Sequence, residues 1–335
     1  MAPVLWHHVS NSELCTDWPS GVLAELRNLA VQEAAAELVQ ETETKAVLDE
    51  FAGSGLTPVL LKGTPLSYTL YPAPGMRPRC DTDLLIPESG RDKVTALMKQ
   101  LDYEGLYEGS ADYINSQMSY SKKGKLHVRH SYDIHWQLSN NSRAFSQKLS
   151  YDRLLADSVH VPSLGDNARA LNNVDALIYA CFHRAGHFPQ SGDRLIWLYD
   201  IHLLSEALSG KELPAFCDRA RELKIVTLCS DAIATAQIWF GTTLPPALER
   251  LLEEEPGNEP SNVFLKSGRS SGIKDKALLE LKDMSGWRER LHFLAQNAFP
   301  PPEYMLWRYG KQHKSALPWL YLKRFVEGVA IFARK

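Results

Sequence analysis

Residues 80–87 read Cys-Asp-Thr-Asp-Leu-Leu-Ile-Pro. An apolar run this short, closed by a proline, fits a buried strand, because proline cannot donate to a continuing ladder. Side chains two apart on a strand face the same way, so Asp81 and Asp83 are expected to project together while Thr82 faces the opposite side. Two carboxylates crowded on one face repel each other, and a divalent cation of the magnesium kind, taken by oxygen ligands, relieves that repulsion. The competing reading is a solvated strand end whose aspartates only face water, and an isolated Asp-x-Asp does not separate the two.

The neighbouring sequence adds parts that suit the first reading. Residues 57–63, Thr-Pro-Val-Leu-Leu-Lys-Gly, read as a second buried strand that runs through Gly63-Thr64 into a short helix at 65–70. A glycine turn at a helix N-terminus offers free backbone N–H groups and the positive end of the helix dipole, a site suited to phosphate. Lys62 stands beside that turn, and Arg77 and Arg79 close a proline-rich loop just before the aspartates. Lysine supplies a point charge and arginine a bidentate fork, although each could be an ordinary loop cation. Downstream, residues 130–138 alternate Tyr132, Ile134 and Trp136 with Asp133, His135 and Gln137. If this strand lies beside the first, Asp133 completes a three-carboxylate cluster able to hold two ions about 3.5–4 Å apart. His135, on the same face as Asp133, reads either as a contact to phosphate or nucleophile or as a partly buried strand histidine.

Helical spacing of Val22, Leu26, Leu29 and Ala30 marks a helix over 18–51. A helix from 87 to about 101 and strands at 103–107, 117–121 and 126–138 complete a small mixed sheet. Beyond about 160 the pattern turns helical: Val174, Leu177, Ile178, Cys181 and Phe182 share one face, as do Ile196, Tyr199 and Leu203. The expected fold is therefore α+β, with a small mixed β-sheet domain flanked by helices at 1–160 and an all-α domain at 161–335. Polar stretches at 253–262 and 267–272 read as the mobile surface loops.

Composition excludes more than it names. Hydrophobic residues make up 44% and charged residues 23%, ordinary values for a soluble globular chain, and a net charge of −3 provides no global basic field for extended nucleic acid. The cysteines at 15, 80, 181, 217 and 229 lack any CxxC spacing and read as reduced thiols of a cytoplasmic protein. The N-terminus does not read as a secretory signal. The most apolar stretch, 317–335, carries Lys323, Arg324 and Glu327, so it is expected to pack on the body as an amphipathic helix, with a membrane-surface helix as the alternative and no membrane partner expected. P-loop, nucleophile-elbow and kinase motifs are absent from the sequence.

His183 and His187 have the i, i+4 spacing of a zinc pair, but no HExxH pattern accompanies them, and a structural or substrate-facing role is favoured. Together with Arg184, Asp193, Arg194 and Asp200, His183 either lines a nucleotide cleft or forms a helix-packing hydrogen-bond network. Trp307 and Tyr309 are expected to pack C-terminal helices rather than stack a base.

The run LLKGTPLSYTLYPAPGMRPRCDTDLLIP, with SYDIHWQL downstream, resembles the signature of an uncharacterised nucleotidyltransferase family found beside bacterial biosynthetic clusters, a branch of the DNA-polymerase-β-like superfamily. The similarity continues through LIYACFHRAGHFPQSGDRLIWLYDIHLL and the late segments FPPPEYMLWRYG and LYLKRFVEGV. The resemblance implies that Gly63-Thr64 is the phosphate turn, with Thr64 where a small Ser or Gly is more usual. It implies Asp81, Asp83 and Asp133 as catalytic metal ligands for Mg²⁺, or alternatively Mn²⁺. Lys62, Arg77, Arg79, His135, Arg184 and Asp200 would surround the nucleotide. An NTP would then donate its NMP to an acceptor hydroxyl of a small molecule or peptide, with pyrophosphate released. Two alternatives share the motif: a nucleotide-sugar glycosyltransferase using Asp-x-Asp and Mn²⁺, and a noncatalytic nucleotide-binding regulator.

Overall fold

The computed structural model describes residues 1–105, 117–124, 128–138, 143–187, 192–253, 259–265, 278, 280–282, 284 and 286–333. Helices α1 (Ala2–Ser10) and α2 (Ser20–Gly53) precede β1 (Val59–Leu61) and α3 (Gly63–Thr69). There follow β2 (Thr82–Leu85), α4 (Arg91–Gln100), β3 (Glu104–Gly105), β4 (Gln117–Lys123) and β5 (Arg129–His135). Helices α5 (Arg143–Lys148) and α6 (Tyr151–Ala156) then lead to β6 (Val159–His160) and β7 (Arg169–Ala170). The rest is helical: α7 (Asn173–Gly186), α8 (Leu195–Ala207), α9 (Glu212–Leu223), α10 (Val226–Phe240), α11 (Pro246–Glu253), α12 (Trp287–Ala298), α13 (Pro302–Arg308) and α14 (Leu317–Ala333).

Among the described residues the strands form one mixed sheet in the order β3-β4-β5-β2-β1-β7-β6. The aspartate-bearing strand β2 therefore lies at its centre. It runs antiparallel to β1, with Leu61 opposite Asp83, and parallel to β5, with Asp83 opposite Asp133. Strand β4 runs antiparallel to β5 and sets Ser119 opposite Asp133.

The period of two along these strands sorts their side chains between two layers. Leu60, Leu84, Tyr132 and Ile134 pack with Val47, Leu48 and Phe51 of α2 and with Val94 and Met98 of α4. On the other face Val59, Leu61 and Leu85 join a continuous apolar cluster with α7, α8, α9 and α10. Asp83, Asp133 and His135 share that second face, so the polar residues of the central strands look toward the helical half.

The expected α+β architecture, with a mixed sheet and a helical C-terminal region, is the one observed. Some local boundaries shift. Strand β2 begins at Thr82, so Asp81 sits just ahead of the strand. A short 3₁₀ turn, Glu88–Gly90, precedes α4. Strands β6 and β7, which extend the sheet beyond β1, have no counterpart among the expected strands. Parts of the strands expected at 103–107 and 126–138, and most of the loops expected at 253–262 and 267–272, lie outside the described residues.

The long helix α2 buries mainly its C-terminal half, and further up it meets the proline-rich loop at Gly75. A Cβ on Gly75 would fall 2.7 Å from the Ala34 Cα, a backbone atom that cannot swing aside. Gly75→Ala is therefore expected to destabilise the chain by about 1–3 kcal/mol, as overpacking does. Urea denaturation checks this, and an unchanged midpoint would mean that α2 does not rest on the loop.

Candidate active site

Strand register brings the acidic residues together. Asp83 and Asp133 are paired neighbours on parallel strands, and His135 follows two residues along the same face. Ligand atoms of Asp83, Asp133 and His135 all lie within 4.8 Å of one another. They form the floor of a cleft of about 540 Å³ whose far wall comes from α7 and α8. Asp81 lines the same cleft from its position ahead of β2.

Each carboxylate has a different environment. Asp83 is buried, and its Oδ1 accepts from Lys62 Nζ at 2.5 Å and lies 2.9 Å from His135 Nε2. Burial alone would raise the Asp83 carboxyl, but the Lys62 ammonium and the His135 contact outweigh it and hold it well below the usual carboxylate range. Asp133 is half-buried; Ser119 Oγ donates to its Oδ1 at 2.5 Å, and Gln117 Nε2 approaches its Oδ2 at 3.4 Å. Asp81 is exposed as a residue, yet its carboxyl lies in the cleft, where lost hydration pushes its pKa up and the Asp83 charge adds to the effect.

Lys62, Arg77 and Arg79 all line the cleft, and each is engaged by a carboxylate of the chain. Lys62, in the left-handed region at φ 56°, points its ammonium at Asp83 and lies 6.0 Å from the centre of the Tyr179 ring. Burial would lower its pKa, but the Asp83 charge beside it raises it above the ordinary lysine value. The Arg77 guanidinium is buried and held by Asp200, with Nη2 at 2.7 Å from Oδ2 and Nε at 2.9 Å from Oδ1; Tyr71 Oη donates to the same carboxylate at 2.7 Å. Arg79 forks onto the buried Glu37, with Nε at 3.0 Å from Oε2 and Nη2 at 3.0 Å from Oε1, and also donates to Thr82. Arg184 turns away from the cleft to Asp193, at 2.6 Å, and to Asp231 on α10. Lys62, Arg77, Arg79 and Arg184 are thus each neutralised by a carboxylate of the chain itself. Arg184 makes the contacts of a helix-packing network, while Asp200 both holds Arg77 and lines the cleft.

Gly63 has a steric role of its own. A Cβ there would lie 2.7 Å from the Arg77 Cζ, so the turn is open enough for the guanidinium only because residue 63 has no side chain. Thr64 is buried, with its hydroxyl 3.5 Å from Arg79 Nη1. The glycine turn is therefore bound to the Arg77–Asp200 pair that joins the loop before β2 to α8.

The helical wall carries aromatic groups that sequence patterns alone did not single out. Tyr179 lies over Lys62, and burial pushes its phenol up to about 12. Trp197 meets the rings of His183 and His187 at 5.0 and 4.8 Å. Burial, reinforced by Lys62 and His187, lowers the His183 pKa well below its ordinary value, so this imidazole is neutral near pH 7. The two histidine Nε2 atoms are 3.2 Å apart. Arg194 is exposed, stacks 5.0 Å from the Trp197 ring centre and lines the cleft. Among the described residues it makes no ion pair with a carboxylate. Within helical repeats such as LIYACFHR the apolar period explains Tyr179 equally well as core, which is why register was needed to find it.

A mixed sheet with neighbouring acidic strands thus lies at the base of a helix-walled cleft. In comparison with known families, residues 1–241 match the family described as uncharacterised nucleotidyltransferase. The chain belongs to that family, and membership carries the general role of nucleotidyl transfer. The matched span contains every residue of the acidic cluster and the α7–α8 wall, and the late segments beyond 241 lie outside it. No curated protein matches the chain.

The Arg77–Asp200 pair is almost fully enclosed, with side-chain exposures of 8% and 6%. Removing one member of such a pair leaves a buried charge without a partner. Asp200→Ala is expected to cost about 3–5 kcal/mol of stability. Thermal and denaturant unfolding would measure it, and a loss below about 1 kcal/mol, the scale of an exposed pair, would show that solvent reaches the guanidinium.

Proposed function

We propose that this chain transfers a nucleoside monophosphate from an NTP to an acceptor hydroxyl, releasing pyrophosphate, and that Asp83, Asp133 and His135, with Asp81 at the cleft mouth, hold a divalent cation. The observation that supports this most strongly is the convergence of three ligand atoms within 4.8 Å on the floor of a cleft large enough for a nucleotide. The donor set fits the ion: carboxylate oxygens suit Mg²⁺, and the imidazole nitrogen leans toward Mn²⁺. When bound, such a cation would neutralise phosphate charge and make an acceptor hydroxyl easier to deprotonate.

The chain's own groups would do the rest. Lys62 keeps Asp83 ionised, while Ser119 and Gln117 orient Asp133. The acceptor oxygen would attack the α-phosphorus in line, its proton passing to a carboxylate of the cluster as the bond to pyrophosphate breaks. Lys62, Arg77 and Arg79 line the cleft already paired to carboxylates, whereas Arg194 lines it with no carboxylate partner among the described residues, and its stacking on Trp197 preorganises it for phosphate. Its neighbours His183 and Trp197 would shield that end of the cleft from water. The near-neutral net charge favours a small molecule or peptide as acceptor over an extended nucleic acid.

Calorimetric titration with nontransferable analogues of the four common NTPs, with and without Mg²⁺, tests the reading. Binding is expected to need the metal and to be lost in Asp81→Asn/Asp133→Asn. Arg194→Ala is expected to weaken binding roughly tenfold, the worth of one charge-assisted contact. Failure of every triphosphate to bind would overturn the transferase reading, and binding of a nucleotide sugar instead would replace it with glycosyl transfer.

A further inference from the structure

Helix α14 is amphipathic in the reverse of the usual sense. Trp319, Leu322, Phe325, Val326 and Val329 fall at i, i+3, i+6, i+7 and i+10, which places them on one face of the helix. All five are exposed, from 52% to 67%. The opposite side holds the helix to its neighbours: Leu320 is buried among α13 residues, Tyr321 Oη donates to the Pro300 carbonyl at 2.5 Å, and Arg324 donates to the Asn297 carbonyl at 2.9 and 3.0 Å. Helix α12, which contacts α14, exposes Trp287, Leu291 and Leu294 along one stripe, and Phe299 follows at 71% exposure. An apolar face this continuous marks an interaction surface, because scattered exposed residues do not align along a helix.

Charge decides between occupants. Residues 287–335 contain nine Lys or Arg against three Glu and no Asp, a surplus of six positive charges in a chain whose net charge is −3. Lys311, Lys314 and Lys323 are exposed, as are Arg288 and Arg290. A second copy placed face to face would set two such basic segments against each other. An anionic surface complements them, and the exposed tryptophans at 287, 307 and 319 are the side chains that settle at the boundary between lipid headgroups and acyl chains. We propose that α12 and α14 dock this chain onto an anionic phospholipid surface, with the apolar stripe inserted at the interface and the lysines among the headgroups. Among the described residues no helix is long and apolar enough to cross a membrane, so the chain lies on the surface. The segment lies outside the family-matched span, and its binding is independent of the nucleotide cleft.

Co-sedimentation of the full chain with vesicles tests the proposal, using phosphatidylcholine alone and an equal mixture of phosphatidylcholine and phosphatidylglycerol. Binding is expected to be at least roughly tenfold tighter to the mixed vesicles, the contribution of one or two basic residues near such a surface, and to weaken with added salt. Trp319→Ser/Phe325→Ser/Val329→Ser should abolish it while circular dichroism stays unchanged. Lys311→Gln/Lys314→Gln, which touches only exposed side chains, should weaken it without affecting folding. Absence of binding, equal binding to both vesicle types, or undiminished binding by both variants would overturn the proposal. So would a native dimer that ignores vesicles and becomes monomeric in the triple variant, since the occupant would then be a second copy.

Discussion

Two carboxylates placed opposite each other on adjacent parallel strands are the constraint around which this molecule is arranged. Asp83 and Asp133 are held side by side by backbone register, and neither can move away without breaking the ladder at the centre of the sheet. Their repulsion has to be met locally. Lys62 and His135 converge on one oxygen of Asp83, and Ser119 approaches Asp133 from the next strand. The lysine reaches its place from a backbone conformation that non-glycine residues rarely adopt, which ties the chain geometry after β1 to the electrostatics of β2. The floor of the cleft is thus charged but locally balanced, a state in which an additional cation would bind by reorganising existing contacts.

That balance extends outward in pairs. Each arginine in the loop before β2 is matched to an acid on a helix, Arg79 to Glu37 on α2 and Arg77 to Asp200 on α8. These pairs position the loop, and in turn the entry to β2, between the two helical layers. The cleft is left with a polar floor, an aromatic wall and Arg194 at its rim. Such a distribution separates the groups that build the site from the group free to meet a ligand.

Much of this was legible from residue order because it depends on short periods. Strand parity placed Asp133 and His135 on one face, and the i, i+3, i+4 spacing around Val174 and Ile196 announced the helical half. What could not be read was pairing over distance. Glu37 and Asp200 stand 42 and 123 residues from the arginines they hold, and no local pattern distinguishes an arginine so engaged from one left for phosphate. The same limit applies to α14: its periodicity was visible, but which stripe faces its neighbours is decided by Tyr321 and Arg324 meeting the end of α12. Asp81 lies just ahead of β2, yet it lines the same cleft as Asp83, the side to which a period of two assigns it.

The Arg77–Asp200 contact also joins parts of the chain made at different times during synthesis. When the sheet-forming segment has left the ribosome, the acid that neutralises Arg77 has not yet emerged, and the apolar face of β1 and β2 still lacks α7 and α8. Cotranslational collapse of the first half would therefore bury an unmatched guanidinium against Gly63, an arrangement disfavoured until the helical half arrives. The last steps of folding and the closing of the cleft wall would then be the same event, so a nascent chain would have no finished cleft before its helical half is complete.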